Sequence, residues 1–168
     1  VIAAPSSMRA IANQPGNMTD DMLRRLAAKG GVVQLTFHTE FLSQALLDAE
    51  RTLAKEFEGF ERQTKARCGD DELCAIRESE RFRTQLTVDG KLPEVSWEKS
   101  IDHIDHAVKV AGADHVGLRS DFGGAWMPKG MEDASKLPQI TAALLRKGYS
   151  EADIVKILRD TGTDVVVN

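Results

Sequence analysis

Nowhere in the sequence do apolar residues run long enough to cross a bilayer. A spanning helix needs about 20 of them, and the apolar runs here are short ones such as Val165–Val167, so no membrane span is expected. Basic residues are equally unconcentrated. The net charge is −4 and no Lys/Arg stripe stands out, which argues against nucleic acid as a partner. Cysteine is scarce: Cys68 and Cys74 in RCGDDELC are the two present. They form no CxxC and have no histidine nearby, so a zinc site there is not expected. They either close a small disulfide loop across Gly69 or stand as free thiols, and a disulfide would favour a secreted or periplasmic location. No signal peptide is visible, and the chain opens Val-Ile-Ala-Ala without a methionine, as if cut from something longer.

What is present suits a folded domain. With 168 residues, 42% hydrophobic and 29% charged, the chain can bury one real core. Val1–Ala4 reads as the end of a strand, with a turn at Pro5-Ser6-Ser7. Thr19 is expected to cap a helix carrying Asp20 and Asp21 in its first turn, with Met18 and Leu23 placed for a hydrophobic staple and Gly30-Gly31 as the stop. GVVQLTF, Gly31 to Phe37, is the apolar β-branched run of a strand buried on both faces. Residues 39 to 66 are helical in character, and 67 to 95 are highly charged. The stretch from about 43 to 95 reads as a helical insertion outside the main repeat.

Ser96 is expected to cap the next helix, whose apolar stripe is Trp97, Ile101, Ile104, Val108 and Ala111. His103 and His106 lie off that stripe, so both are read as solvated or ion-paired rather than as a metal pair. A strand follows at His115–Leu118, and His115 is read as structural. It leads into Ser120-Asp121-Phe122 and a glycine pair. Helices starting at Ser135 (burying Leu137, Ile140, Leu144 and Leu145) and at Ser150 close the chain, the second with a Ser150…Asp153 capping box. Strands alternating with helices predict parallel βα units and an α/β fold.

Asp121 at a strand end is the candidate catalytic acid or base. Equally, it could cap the turn through Gly123-Gly124 or pair with Arg119. His38, following the second strand, is either a substrate contact or a loop histidine. Trp126 and Met127, after the last strand, either line a pocket or cover the mouth.

SSMRAIANQPGNMTDDMLRRLAAKGGVVQLTF, DHIDHAVKVAGADHVGLRSDFGG and MPKGMEDASKLPQITAALLRKGYSEADIVKIL resemble the C-terminal part of the zinc-dependent membrane dipeptidase (renal dipeptidase) family. The resemblance implies a (β/α)8 TIM-type barrel that hydrolyses dipeptides at two zinc ions. The chain would supply only the last three βα units, as one incomplete barrel domain over 1–168. A complete barrel takes about 250 residues. The strands carrying most zinc ligands would be absent. By the resemblance, Pro5 stands where the family has a zinc-ligating histidine, and Gly16, before Asn17, stands where an arginine holds the substrate carboxylate. Asp121 matches the family's acid, while Arg119 and Gly123 depart from its pattern, as does Arg159-Asp160-Thr161-Gly162 near the end. The resemblance thus implies Asp121 as catalytic residue, Asn17 and His38 as substrate contacts, a dipeptide as substrate, and zinc as a cofactor that this chain alone would not bind. Such a chain is expected to be inactive by itself. It would serve as a scaffold or binding module, or be completed by another chain. Its sheet would expose edges and an inner face including Val33, Leu35 and Val116. Self-association, or a covering by the insertion or the Val165–Val167 tail, would follow.

Overall fold

The computed structural model describes residues 1–158. Three parallel strands form one sheet in the order β1-β2-β3: β1 (Ile2–Ser6), β2 (Val32–Thr36) and β3 (Val116–Arg119). Helix α1 (Asp20–Ala28) joins the first two strands. Between β2 and β3 come α2 (Thr39–Leu42), α3 (Gln44–Thr52), α4 (Ala54–Cys68), α5 (Glu72–Val88) and α6 (Glu98–Ala111). After β3 follow α7 (Pro138–Arg146) and α8 (Glu151–Leu158). Parallel neighbours need crossovers of this kind, and the chain belongs to the α/β class. The Val165–Val167 tail and Arg159-Asp160-Thr161-Gly162 lie outside the described residues.

The chain divides into two compact units, Val1–Gln44 with Val95 onward, and Ala45–Glu94. In the first, the register pairs Val33 with Val116 and Leu35 with Leu118. Paired residues of parallel strands point the same way, so these side chains share one face. They join Leu23 and Leu26 of α1, Ile101 and Ile104 of α6, and Ile154 and Ile157 of α8 in a single core. This corrects the expectation that Val33, Leu35 and Val116 face open water. They are 0%, 2% and 0% exposed, because the helices cover that face. The opposite face carries Ile2, Val32, Gln34, Thr36, Gly117 and Arg119 by alternation. Ile2, on the terminal strand β1, is the exposed one among its apolar residues, at 39%.

Several local expectations change. β1 continues through Pro5 to Ser6 instead of turning there. β1 is an end strand of the sheet, where a proline that donates no ladder bond is tolerated, and its register with β2 shifts between Ala3 and Ser6. Ser96 does not cap α6. It lies in an extended bridge with Lys129, and the Trp97 N–H donates to the Lys129 carbonyl at 3.1 Å. Gly130 explains why the chain can approach so closely there: a Cβ would come within 2.6 Å of the Trp97 ring. Asp133, not Ser135, opens the α7 segment, its carboxylate accepting from the Ser135 N–H at 2.8 Å. Leu145 is half exposed, at 50%, because it falls between the buried positions Ile140, Ala143 and Leu144 and the helix terminus. Thr19 caps α1, accepting from the Met22 N–H at 3.3 Å, and Ser150 caps α8, accepting from the Asp153 N–H at 3.1 Å.

His103 is the largest departure. It is fully buried, not solvated. Its Nδ1 accepts from the Met8 N–H at 2.9 Å, so Nε2 carries the proton and donates to the Leu42 carbonyl at 3.1 Å. Burial holds its pKa down at about 4, against the opposing pull of the Leu42 carbonyl and Asp102. His106 Nε2 makes a hydrogen bond with Asp20 Oδ1 at 2.7 Å. His115 ties to the Gly31 carbonyl at 2.8 Å.

The second unit is a helical hairpin with little buried side chain. No residue of α4 is buried. What holds α4 against α5 is an aromatic cluster: Phe60 stacks on Phe82 with ring centroids 4.2 Å apart, and Phe57 meets the Phe82 ring edge-on at 5.3 Å. Arg83 lies over Phe57 and pairs with Glu50. Cys68 and Cys74 form a disulfide across the connecting turn.

In the unfolded chain His103 titrates near 6.5 and in the folded chain near 4, so between those values the unfolded state binds the extra proton. The imidazole's contribution is complete above about pH 6.5 and is lost as pH falls towards 4, by about 3 kcal/mol in all. Urea titrations from pH 7 to 4 should show that slope in the wild type and a flatter one in His103→Gln, and equal slopes would refute it. Reduction of Cys68–Cys74, which are six residues apart, should destabilise the hairpin by about 2 kcal/mol through loop entropy. Amide exchange in 54–88 should accelerate on adding dithiothreitol while exchange in β2 and α6 stays constant. A uniform response would count against it.

Candidate functional site

The three strands run parallel, so Ser6, Thr36 and Arg119 mark their C-terminal ends on one side of the sheet. In parallel α/β architectures this is where loops converge and ligands bind. Asp121 lies two residues past β3, and its backbone is left-handed, with φ 53°. A non-glycine residue there is uncommon, though aspartate tolerates it better than most. The turn that follows closes through a Gly124 N–H bond to the Asp121 carbonyl at 3.1 Å.

Both oxygens of the Asp121 carboxylate are engaged. The Thr36 hydroxyl donates to Oδ2 at 2.8 Å, and Arg119 Nε donates to Oδ1 at 2.5 Å. Thr36 is fully buried, and its oxygen accepts from the His38 N–H at 3.0 Å. A polar chain therefore runs from the His38 backbone through Thr36 and Asp121 to Arg119. Sequence reasoning missed Thr36. Its signal was a single hydroxyl closing an otherwise apolar strand, at the register position paired with Arg119.

His38 stands at the N-terminal cap position of α2, with Nε2 3.8 Å from Glu40 and its ring 5.6 Å from that of Phe41. Asn17 is fully buried. Its side-chain amide donates to the Ala12 carbonyl at 2.8 Å and the Phe41 carbonyl at 2.9 Å. It thus ties the loop after β1 to the segment after β2. Ser6 donates to the Gly16 carbonyl at 3.0 Å, and Gly16 packs so that a Cβ would lie 2.9 Å from the Phe41 ring. Asp121 and His38 are thus linked through Thr36, whereas Asn17 joins the two loops by its own separate contacts. Trp126 reaches the same region, its carbonyl accepting from the Thr39 N–H at 2.9 Å.

The residues present do not fit a metal pair. The Pro5 side chain has no donor atom for a metal. Asp121 already accepts from a hydroxyl and a guanidinium. No group of three or more His, Cys, Asp or Glu side chains placed to hold an ion occurs among the described residues. Among those residues, too, no helix is long and apolar enough to cross a membrane.

Comparison with known proteins agrees with this topology. Residues 1–165 match the family model for membrane dipeptidase, peptidase family M19. An uncharacterized dipeptidase of Schizosaccharomyces pombe is 30% identical over 148 residues, covering 88% of this chain and 25% of that protein. A dipeptidase of Aspergillus terreus is 26% identical, covering 94% of this chain and 28% of its own length. Among solved structures, a probable dipeptidase from Pseudomonas aeruginosa superposes with a TM-score of 0.68 at 28% identity, covering 96% of this chain and 42% of that one. A metallopeptidase from Rhodobacter sphaeroides, solved with a phosphinate mimic of L-Ala-D-Ala, superposes with a TM-score of 0.63 at 27% identity, covering 95% and 33%. The chain thus spans between a quarter and 42% of the length of these relatives, and it belongs to the membrane dipeptidase family, peptidase family M19.

Proposed function

We propose that this chain is the C-terminal part of a dipeptidase-type (β/α)8 barrel, a single incomplete barrel domain with a helical insertion at about 43–95. It contributes Asp121 at the mouth and depends on further strands for catalysis. The observation that carries this reading is the position of Asp121, bonded to Thr36 across the C-terminal ends of two adjacent parallel strands. The substrate class is a dipeptide, with His38 and Asn17 on the loops that would border it. Zinc is the expected metal of the assembled site. When bound, it would supply an activated water for amide hydrolysis. Nothing in that step can be routed through the residues of this chain alone, since Asp121 is held by Thr36 and Arg119. Its role here is to hold a fixed negative charge at the strand mouth.

A second reading, a non-catalytic scaffold, draws support from the Arg119–Asp121 pair, which supplies the carboxylate with a cation from within the chain. The two readings separate in one set of measurements. The purified chain should contain less than stoichiometric zinc by elemental analysis. It should cleave Ala-Ala and Gly-Gly no faster than buffer with zinc, both alone and as an Asp121→Asn variant. Addition of the preceding part of a family relative's barrel, as a separate chain, should restore cleavage under the first reading and leave it at background under the second. Cleavage by the chain alone, lost in Asp121→Asn, would overturn both.

A further inference from the structure

We propose that Arg119 is a carboxylate-binding residue: anchored on Asp121, its guanidinium seats a small carboxylate at the C-terminal end of β3 without a metal ion. The inference does not depend on whether the chain hydrolyses anything.

The geometry of the anchor comes first. A guanidinium is planar and offers two donor edges, each matched to the two oxygens of a carboxylate. Asp121 takes the Nε donor at 2.5 Å. The edge formed by the two terminal amino groups makes no hydrogen bond to a described residue. The Arg119 side chain is half exposed, at 49%, while that of Asp121 is 16% exposed. Arg119 is therefore the outward member of the pair, and the anchoring carboxylate is the inward one.

The anchor is also fixed in place. Asp121 cannot turn away from Arg119 without giving up the buried Thr36 hydroxyl on its other oxygen. Thr36 is held in turn by the His38 N–H at 3.0 Å. The left-handed backbone at Asp121 brings the carboxylate back over the strand ends. Arg119 thus starts from a restricted geometry, and binding a ligand orders fewer of its rotamers than for an unanchored surface arginine.

Donor geometry decides the class of ligand. The Arg119–Asp121 pair is near neutral in sum, so what it offers is the forked pair of N–H donors, which matches a planar carboxylate. Glu40, also at this end of the sheet, lies against His38. A metal would have to displace Arg119 from Asp121 and would find no third ligand among the described residues. A monovalent carboxylate needs neither change. It accepts from the two amino groups as they stand.

The test uses the full 168-residue chain, labelled with nitrogen-15 and treated with EDTA. Sodium acetate and glycylglycine are titrated at constant ionic strength, with glycinamide as the probe lacking a carboxylate and sodium chloride as the anion control. We expect saturable shifts of the Arg119 Nε–H resonance and of the amides of 119–124 with acetate and glycylglycine, and none with glycinamide or chloride. Arg119→Lys should weaken acetate binding roughly tenfold or more, since it keeps the charge and loses the fork. Arg119→Gln should abolish it, and Arg24→Gln, on an exposed helix face, should leave it unchanged. Should Arg119→Gln not fold, the lysine variant decides alone. Equal response to glycinamide or chloride, undiminished affinity in Arg119→Lys, or binding that appears only after zinc is added would each sink the proposal.

Discussion

The buried imidazole of His103 is the contact on which the site end of the molecule depends. It sits on α6, a helix whose other buried residues pack against the sheet, and it reaches two segments at once. Met8 lies just after β1, and Leu42 is the last residue of α2, which follows β2. Each offers one backbone polar group that would otherwise be buried without a partner. A single neutral ring satisfies one donor and one acceptor. No aliphatic residue could do this, and a charged ring could not accept from Met8. The depressed pKa of His103 is the cost of that arrangement and the reason it works at neutral pH. Asn17 repeats the device on a smaller scale, donating to Ala12 and Phe41.

With those segments fixed, the ends of β2 and β3 are free to carry charge. A carboxylate at a strand end must find donors or stay in water. Asp121 finds Thr36 on the neighbouring strand and Arg119 on its own. The first bond is made possible by register, because Thr36 and Arg119 are paired across the ladder. The second depends on the left-handed turn at Asp121. Moving β3 by one residue would reverse the faces and break the first, while the second travels with its own segment.

Much of this architecture was legible in the residues. The β-branched run of β2, the Thr19 and Ser150 caps and the alternation of strands with helices are local signals, and local physics decides them. The failures share a cause. Ser96 and Ser135 carry good capping chemistry, but Ser96 is drawn into an extended bridge with Lys129, and the N–H of Ser135 is itself capped by the Asp133 side chain, partners that depend on tertiary approach or on a stronger neighbouring acceptor. His103 looked solvated because it lies among charged residues in sequence, whereas its ring points into the seam between two segments that only the fold brings together. Val33, Leu35 and Val116 were assigned to the wrong face because alternation fixes which residues share a face but not which face the helices cover. Thr36 was overlooked because one hydroxyl in an apolar run carries no motif.

The candidate site shows the same division at the level of chemistry. The sequence placed a carboxylate at a strand end and left open whether it acts, caps or pairs. The choice rests on Arg119, because a guanidinium two residues away on the same chain has a far higher effective concentration than any ion from solution. Pairing is therefore the resting arrangement, whatever else the carboxylate does when further strands are present. A metal arriving at this end must compete with a tethered cation that has already satisfied one oxygen, while Thr36 satisfies the other. For Asp121 to take part in hydrolysis, the assembled site would have to draw Arg119 away, for instance by offering its guanidinium another anion. A small carboxylate of the kind proposed for Arg119 is such an anion. Ligand binding and release of Asp121 would then be two sides of one exchange, in which the guanidinium passes from one carboxylate to another.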